Sequence, residues 1–378
     1  MLDAAGTELL ARRDELGRLL AREEGKTLAE AVGEVARAGQ IFRFLAGEAL
    51  RLVGQVLPSV RPGVGVEITR EPLGVVGPIS PWNLPVAIPA WKTALAHGNA
   101  VVLKPADPVP GCADALAGIL MRAGLPAGLF NLVLGPGGAV GRRLVEHPDV
   151  AAIWFTGSLG VGRGIAAGHA AGMKKVQPET GGKNPMVVLD DADPETAVAA
   201  SLNGAFFSTG QRCTASSRLI VTEGIHDRFV ARLTETMGAL RVGPALDPST
   251  QIGPVVGAVQ LASNLKSVDI AASEGGTVTG GGRVNGPTEG DFTAPALVTG
   301  TDTAMRINRA EVFGPVAGVI RLRDFDEALA VANDTDFGLS AGICTASLKH
   351  ATAFKAQAGT VMVNLPGAGW LIMCPSAG

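Results

Sequence analysis

Short apolar strands alternate with helical patterns along much of the chain, and this alternation limits the folds that it can adopt. A buried-looking strand at 100–103 is followed by a helix from about 113, a glycine-containing turn at 124–128 and a strand at 130–134. Another strand, at 153–157, runs into a helix with glycines near its start. Strands joined through helices pair in parallel, so the pattern predicts an α/β fold with a parallel sheet.

A second α/β segment contains apolar strands at 186–189 and 218–221, with a helical pattern between them. Leucines at helical spacing over residues 1–53, interrupted at Gly25, predict two helices that cover a sheet. The run 63–70 alternates apolar and polar residues, which predicts a strand with one exposed face. At 378 residues, the chain is long enough for two or three domains.

The composition excludes several classes of function. A net charge of −3 gives no sign of the basic surface that nucleic-acid binding requires. No uncharged apolar run reaches the about 18 residues of a membrane span, and the start lacks the pattern of a signal peptide. The four cysteines lie far apart without a CxxC motif. That spacing favours a reducing compartment, the cytoplasm, and argues against a metal site.

One cysteine stands in a setting that suits a nucleophile. Cys213 follows Gly210 and Arg212 among the small and polar residues of the segment 208–218. A neighbouring cation favours the thiolate, which is the reactive form of a cysteine. Upstream, Glu179 precedes two glycines and is a candidate for activating a water molecule.

A loop enclosed by prolines provides a candidate oxyanion site. In the run Pro81-Trp82-Asn83-Leu84-Pro85, the proline rings restrict the backbone and hold the Asn83 amide in one direction. A fixed amide donor is what an oxyanion hole requires. The alternative is a turn asparagine that caps the next helix.

Two strand ends are candidates for nucleotide binding. Lys104 ends the strand at 100–103, and charges at the carboxyl ends of strands in open α/β sheets commonly meet ligands. The helix that starts between Gly157 and Gly162 presents N–H groups and a helix dipole, which suit a pyrophosphate. The alternatives are a solvated lysine and an ordinary glycine-rich turn.

Taken in order, these segments resemble the aldehyde dehydrogenase family over about residues 8–369. The motifs that carry the resemblance lie at 81–85, 155–162, 179–185, 208–218 and 311–316. The resemblance implies an α/β aldehyde dehydrogenase fold, with a Rossmann-like cofactor domain, an α/β catalytic domain and a small oligomerisation arm. It assigns 1–57 and 73–180 to the cofactor domain, 58–72 to the arm and 181–369 to the catalytic domain.

The resemblance also implies NAD(P)-dependent oxidation of an aldehyde through a cysteine thiohemiacetal and a thioester. In it, Cys213 is the nucleophile, Glu179 activates water, and Asn83 with the Cys213 N–H holds the oxyanion. Arg212 is a candidate for binding a substrate carboxylate, with a structural ion pair as the alternative. The residues implied for NAD or NADP are Trp82, Lys104, Asp107, Gly157, Ser158, Gly162, Glu311 and Phe313.

Segments at 57–63, 204–218 and 334–345 look most like the subgroup that oxidises 2,5-dioxopentanoate to 2-oxoglutarate. Succinate semialdehyde is an alternative substrate, and a truncated, non-catalytic remnant of the family is an alternative function. The passage 91–99 is two residues shorter than in the family. Either the loop absorbs this deletion or the strand before Lys104 is misplaced.

Both ends of the chain depart from the family pattern. Members of the family have further residues before the first helix, and after Pro366 they continue toward another strand. Residues 370–378 do not follow that pattern, and a one-nucleotide frame shift after Gly369 would explain the difference. The family forms homo-oligomers, and we expect the loss of the last strand to weaken that assembly.

Overall fold

The structure is a computed structural model that describes residues 1–91, 94–354 and 356–367. It divides into two compact units. The first contains residues 1–23 and 31–179, and the second contains residues 24–30 and those from 180 onward. The predicted domain boundaries stay a prediction, and the unusual segment 370–378 lies outside the described residues.

Three helices lie within residues 1–53, where the sequence pattern predicted two. From residue 75 onward, the helices and strands of the first unit alternate, as predicted. The elements of this unit are α1 (Leu2–Ala11), α2 (Arg13–Glu24), α3 (Leu28–Ala49), β1 (Gln55–Pro58), β2 (Gly65–Ile68), β3 (Val75–Ile79), α4 (Ala87–Trp91), β4 (Ala100–Leu103), α5 (Pro110–Arg122), β5 (Phe130–Leu132), α6 (Arg142–Glu146), β6 (Val150–Gly157), α7 (Leu159–Ala171) and β7 (Lys175–Thr180).

A five-stranded sheet in the order β5-β4-β3-β6-β7 forms the centre of the first unit. The pairs β3–β4, β3–β6 and β4–β5 are parallel, which confirms the predicted sheet. Val76, Val101, Leu103 and Ala152 are buried in its core. Lys104 follows β4 in register, since its N–H donates to the Pro78 carbonyl at 2.9 Å. The strand before Lys104 therefore occupies its place in the sheet, although residues 92 and 93 lie outside the description.

The ribbon of β1 and β2 differs from the prediction. The two strands pair antiparallel, and every residue of both is exposed, including Val56, Val66 and Ile68. The expectation of a strand with only one exposed face was therefore wrong. The ribbon has two strands, and no other part of the described chain covers either of its faces.

In the second unit, strands and helices alternate over residues 185–238 and 296–363. Its elements are β8 (Pro185–Val188), α8 (Pro194–Phe206), β9 (Arg218–Thr222), α9 (Glu223–Gly238), α10 (Ala258–Ser273), β10 (Thr277–Gly280), β11 (Arg283–Val284), β12 (Phe292–Thr293), β13 (Ala296–Thr301), α11 (Arg306–Arg309), β14 (Val316–Leu322), α12 (Phe325–Asn333), β15 (Ser340–Cys344), α13 (Leu348–Ala353) and β16 (Thr360–Val363).

A seven-stranded sheet runs through this unit in the order β10-β13-β14-β9-β8-β15-β16. Only β10 pairs antiparallel with its neighbour, and the other strand pairs are parallel. Both faces of the sheet are covered, which explains why β8, β9 and β15 are buried throughout and mostly apolar. Within the described residues, no helix combines the length and apolar character that crossing a bilayer requires.

Candidate active site

The candidate residues of the first unit follow the carboxyl ends of its parallel strands. The loop with Trp82 and Asn83 follows β3, Lys104 follows β4, and Ser158 follows β6. Because these strands are parallel, their carboxyl ends lie at one edge of the sheet. The chain order reverses direction between β3 and β6, and such a switch point is where open α/β sheets bind ligands.

Asn83 lies buried in the loop between β3 and α4, with 5% of its surface exposed. The first N–H groups after this loop are held by Glu34, whose Oε1 accepts from Val86 at 3.0 Å and from Ala87 at 3.1 Å. A carboxylate at a helix N-terminus stabilises it through hydrogen bonds and through the helix dipole. Glu34 thus fixes the loop that carries Asn83, a contact that the sequence analysis did not find.

Lys104 is buried, and its Nζ donates to Asp107 Oδ1 at 2.6 Å. This ion pair joins two of the residues that were predicted to bind a cofactor. Asp107 also lines a cavity of about 320 Å³, together with Pro105, Ala106, Pro110, Leu134, Gly135 and Pro136. The cavity lies after the carboxyl ends of β4 and β5, and its mostly apolar walls suit a flat heterocyclic ring.

The amino end of α7 is partly accessible to a ligand. Ser158 is exposed, and its carbonyl accepts from the Gly162 N–H at 3.0 Å, so that N–H already serves the helix. Gly157, at the end of β6, precedes this helix. Glu179 lies on β7, with 5% of its surface exposed.

In the second unit, the candidate residues precede the amino ends of adjacent parallel strands. The loop with Arg212 and Cys213 leads into β9, the Gly181-Gly182 turn leads into β8, and Glu311 and Phe313 lead into β14. These strands are neighbours in the order β14-β9-β8, so the three loops meet at one edge of the sheet.

Asn184 holds the loop that carries Cys213. Its Nδ2 donates to the Cys213 carbonyl at 2.8 Å and to the Ala215 carbonyl at 2.9 Å, and its Oδ1 accepts from the Ser340 N–H at 3.1 Å. A Cβ on Gly182 would approach the Cys213 carbonyl to 2.9 Å, so this close packing favours glycine there. One side chain therefore links the starts of β8, β9 and β15.

The turn before Cys213 is strained. Ser208, Thr209 and Gly210 have φ values of 52°, 55° and 64° in succession. For a residue with a side chain this conformation costs roughly 1–3 kcal/mol, and such strain is concentrated at functional sites. Specific bonds hold the turn, among them Thr209 Oγ1 to the Gly253 carbonyl at 3.1 Å.

Arg212 forms an ion pair with Glu30, from its NH2 nitrogen to Oε1 at 3.1 Å. It also donates to the carbonyl and the side-chain oxygen of Asn203, at 3.4 and 3.3 Å. The structure therefore contains the ion pair that stood as the alternative for this residue, and substrate binding by Arg212 stays a prediction.

Glu311 and Phe313 lie in a loop that other side chains hold. The Gly182 N–H donates to Glu311 Oε1 at 3.0 Å, and burial raises the pKa of the Glu311 carboxyl. Phe313 has a φ of 57°, and the Nε2 of Gln260 donates to its carbonyl at 3.0 Å. Both residues of the loop were predicted from the sequence, whereas Gln260 was not, because no local pattern marks a contact of such long range.

Lys183 is fully buried next to this loop. Burial and the nearby charge of Arg218 lower the pKa of its ammonium to about 7, against the opposing effect of Glu311. Because the folded pKa lies below the ordinary 10.5, the unfolded chain binds more protons between these values. The group's destabilising contribution is therefore complete below about pH 7 and disappears as the pH rises toward 10.5.

Replacing Lys183 with methionine is expected to flatten the rise in unfolding free energy with pH in that window. Urea denaturation at a series of pH values from about 7 to about 10, the window set by the pKa of Lys183, measures the effect. The exposed Lys349→Met is the control and is expected to keep the wild-type slope. An equal slope for Lys183→Met and wild type would contradict the assignment.

Comparison with known proteins decides the family. The model of the family described as "Aldehyde dehydrogenase family" matches residues 1–378. The chain belongs to the aldehyde dehydrogenase family. The resemblance drawn from its motifs is thereby confirmed, and so is the fold that the resemblance implied.

Curated relatives within the family share more than two fifths of their aligned residues with the chain. An "Alpha-ketoglutarate semialdehyde dehydrogenase" of Haloferax volcanii is 44% identical over 385 residues, covering 100% of this chain and 80% of its own. An "Alpha-ketoglutaric semialdehyde dehydrogenase" of Bacillus subtilis is 44% identical over 375 residues, covering 97% of this chain and 77% of its own.

Solved structures of the family have the same fold. An NAD-dependent aldehyde dehydrogenase from Sinorhizobium meliloti has a TM-score of 0.94 at 34% identity, covering 97% of this chain and 74% of its own. An E. coli NADP dependent enzyme has a TM-score of 0.93 at 36% identity, covering 96% and 76%. The individual roles predicted for Cys213, Glu179, Asn83 and the cofactor residues stay predictions.

Proposed function

We propose that the chain catalyses the NAD(P)-dependent oxidation of an aldehyde to a carboxylate, with Cys213 as its nucleophile. The observation that carries the proposal is the placement of Cys213. Among the described cysteines, Cys112 and Cys344 are buried, whereas Cys213 is partly exposed in a loop that Asn184 holds. A nucleophile must be both accessible and fixed in position.

The first unit has features that fit a dinucleotide. The cavity beside Asp107 suits the adenine ring, Lys104 and Asp107 offer polar groups for the ribose, and the start of α7 with Ser158 suits the phosphates. Trp82, Gly157 and Gly162 belong to the same proposed set, as do Glu311 and Phe313 from the second unit. The nicotinamide, when bound, supplies the hydride acceptor.

In the acylation half of the reaction, the Cys213 thiolate attacks the carbonyl carbon of the aldehyde and forms a thiohemiacetal. The Asn83 side-chain amide and the Cys213 N–H donate hydrogen bonds to the negative oxygen that forms. Loss of hydride from the same carbon then leaves a thioester on Cys213. Asn184 and Glu34 support this step by fixing the two loops that carry these donors.

In the deacylation half, Glu179 accepts a proton from a water molecule that attacks the thioester carbon. The C–S bond breaks, and the acid leaves while Cys213 is restored as a thiolate. Glu179 is buried, and a carboxylate with limited access to bulk water suits a general base that must take its proton from a positioned water.

We propose 2,5-dioxopentanoate as the aldehyde and 2-oxoglutarate as the product. The proposal is supported by the names of the two 44% identical relatives and by the motif segments that first suggested this subgroup. The substrate's far carboxylate needs a cationic partner, and Arg212 is the candidate within the catalytic loop.

A substrate series tests this proposal. The purified chain is given NAD or NADP with 2,5-dioxopentanoate, succinate semialdehyde or an uncharged aldehyde of similar length, and formation of the reduced cofactor is followed by absorbance. We expect the highest kcat/KM with 2,5-dioxopentanoate. A higher kcat/KM for succinate semialdehyde would identify that compound as the substrate instead. No turnover of any aldehyde by the folded chain would favour the non-catalytic remnant.

We further propose that the chain acts in the cytoplasm as a homo-oligomer. The exposed apolar residues of the β1–β2 ribbon, Val56, Val66 and Ile68, support association with a second copy. Light scattering on the wild type and on Val66→Lys would test it. A monomeric wild type would contradict the assembly.

A further inference from the structure

Glu30 uses both of its carboxylate oxygens at a junction within the second unit. Oε2 accepts from the Thr27 N–H at 3.2 Å and from Thr27 Oγ1 at 2.9 Å, which caps the start of α3. Oε1 accepts from the Ser208 N–H at 2.7 Å, from Ser208 Oγ at 2.9 Å and from Arg212 at 3.1 Å. One side chain therefore joins a helix cap to the catalytic loop.

The contacts of Glu30 lie at the two ends of the strained turn. Ser208 is the first of the three consecutive residues with positive φ in this turn, and Arg212 directly precedes Cys213. A carboxylate that accepts from a backbone N–H and from a guanidinium forms strong, directional bonds. Glu30 can thus keep residues in a conformation that their own backbone preferences oppose.

A second contact from the same segment strengthens this arrangement. Gln211 Nε2 donates to Glu24 Oε1 at 3.4 Å, and Gln211 Oε1 accepts from the Val256 N–H at 3.0 Å. Residues 24–30, which belong to the second unit although their neighbours along the chain belong to the first, hold the catalytic loop at Ser208, Gln211 and Arg212.

We propose that Glu30 is a positioning residue for the nucleophile: it sets the conformation of residues 208–212 and so the place and reactivity of Cys213. The inference rests on the proposed function, in which Cys213 attacks the aldehyde. It goes further by assigning a role in catalysis to a residue near the start of α3, far from Cys213 in sequence.

Replacing Glu30 with alanine tests the proposal in steady-state kinetics. We expect kcat to fall by about 10- to 100-fold, since a small misplacement of a reacting group has effects of this order, with KM for the aldehyde within about twofold. Glu30→Gln is expected to recover part of the loss, because its amide oxygen can still accept from Ser208 and Arg212.

Thr27→Val is the matched control. It removes a hydrogen bond to the other oxygen of the same carboxylate, on the side of the helix cap, and leaves the bonds to the loop in place. Thermal unfolding is expected to show a lower Tm for this variant, while kcat stays at the wild-type value. An equal fall in kcat for Thr27→Val and Glu30→Ala would reduce Glu30 to a structural residue and overturn the proposal.

A measurement without aldehyde separates this inference from the proposed function. The alkylation rate of Cys213 by iodoacetamide is followed by peptide mass spectrometry. We expect the alkylation rate to fall at least about threefold in Glu30→Ala, because the loop is no longer held in place. In Thr27→Val the rate is expected to stay unchanged. The result applies even if the wild type oxidises no aldehyde, in which case only the proposed function fails.

Should Glu30→Ala fail to fold, Glu30→Gln and Ser208→Ala take its place. Ser208→Ala removes one loop-side bond to Glu30 Oε1 and keeps the backbone bond, so a smaller fall in alkylation rate is expected. Wild-type alkylation rates and wild-type kcat in these loop-side variants would overturn the role of Glu30.

Discussion

Replacing Cys213 with alanine is expected to abolish aldehyde oxidation, with a fall in kcat of at least about 10⁴-fold, as for the loss of other catalytic nucleophiles. Without the sulfur no thiohemiacetal forms, and no other described cysteine is exposed enough to replace it. Because Cys213 is only partly buried, the variant should fold normally. Formation of the reduced cofactor and thermal unfolding, measured side by side, check both statements.

Cys344→Ala is the matched control for this experiment. Burial raises the pKa of the Cys344 thiol to about 12, so this residue carries almost no thiolate at neutral pH. It lies in the core of the second unit on β15, and its loss should lower the Tm and leave kcat close to wild type. Activity that survives in Cys213→Ala and disappears in Cys344→Ala would contradict the choice of nucleophile.

Replacing Glu179 with glutamine is expected to separate the two halves of the reaction. Acylation of Cys213 needs no general base for water, whereas hydrolysis of the thioester does. A positioned base contributes roughly 10²- to 10⁴-fold, so steady-state turnover should fall by that factor. Rapid mixing should still show a burst of reduced cofactor close to one equivalent per active site.

The outcomes for Glu179→Gln distinguish among roles. A burst followed by slow turnover supports a base for deacylation. Loss of the burst together with turnover would place Glu179 in acylation, as a base for the thiol. Unchanged turnover in the folded variant would exclude the residue from catalysis. Glu195→Gln, which breaks an exposed ion pair with Arg232, serves as the control and should keep both phases.

The alternation of strands and helices along much of the chain and the position of the principal loops could be predicted from the sequence because both depend on local patterns. Apolar runs of about four to eight residues, which is the usual length of a strand, indicated β3, β4, β6, β8 and β9. Proline and glycine marked the turns at Asn83 and Gly157. Hydrophobic patterning and turn chemistry act over a few residues, so they are readable without knowledge of the fold.

The support of the catalytic loop could not be predicted, because it depends on contacts between residues far apart in the chain. Glu30 and Ser208, Asn184 and Ser340, and Gln260 and Phe313 meet only through the fold. The sequence Thr27-x-x-Glu30 does carry the signature of a capping box, which would have located the cap. Nothing local indicates that the second carboxylate oxygen binds the catalytic loop.

The strand ends at which the candidate residues lie could also be predicted only in part. In the first unit, the principle that ligands meet the carboxyl ends of parallel strands located Lys104, and the resemblance added Ser158 at the end of a neighbouring strand. In the second unit, Cys213, Gly182 and Glu311 precede the amino ends of β9, β8 and β14. Motif resemblance rather than strand geometry found them, since no general physical rule favours that edge.

The most direct test of the account is the mass of the acyl-enzyme. Glu179→Gln is mixed with NAD or NADP and 2,5-dioxopentanoate, quenched in acid, digested and examined by mass spectrometry. The peptide containing Cys213 is expected to gain the mass of the acyl group, and the corresponding peptide of Cys213→Ala in the same background is expected to gain none. An adduct on another residue, or no adduct despite a burst of reduced cofactor, would contradict covalent catalysis through Cys213.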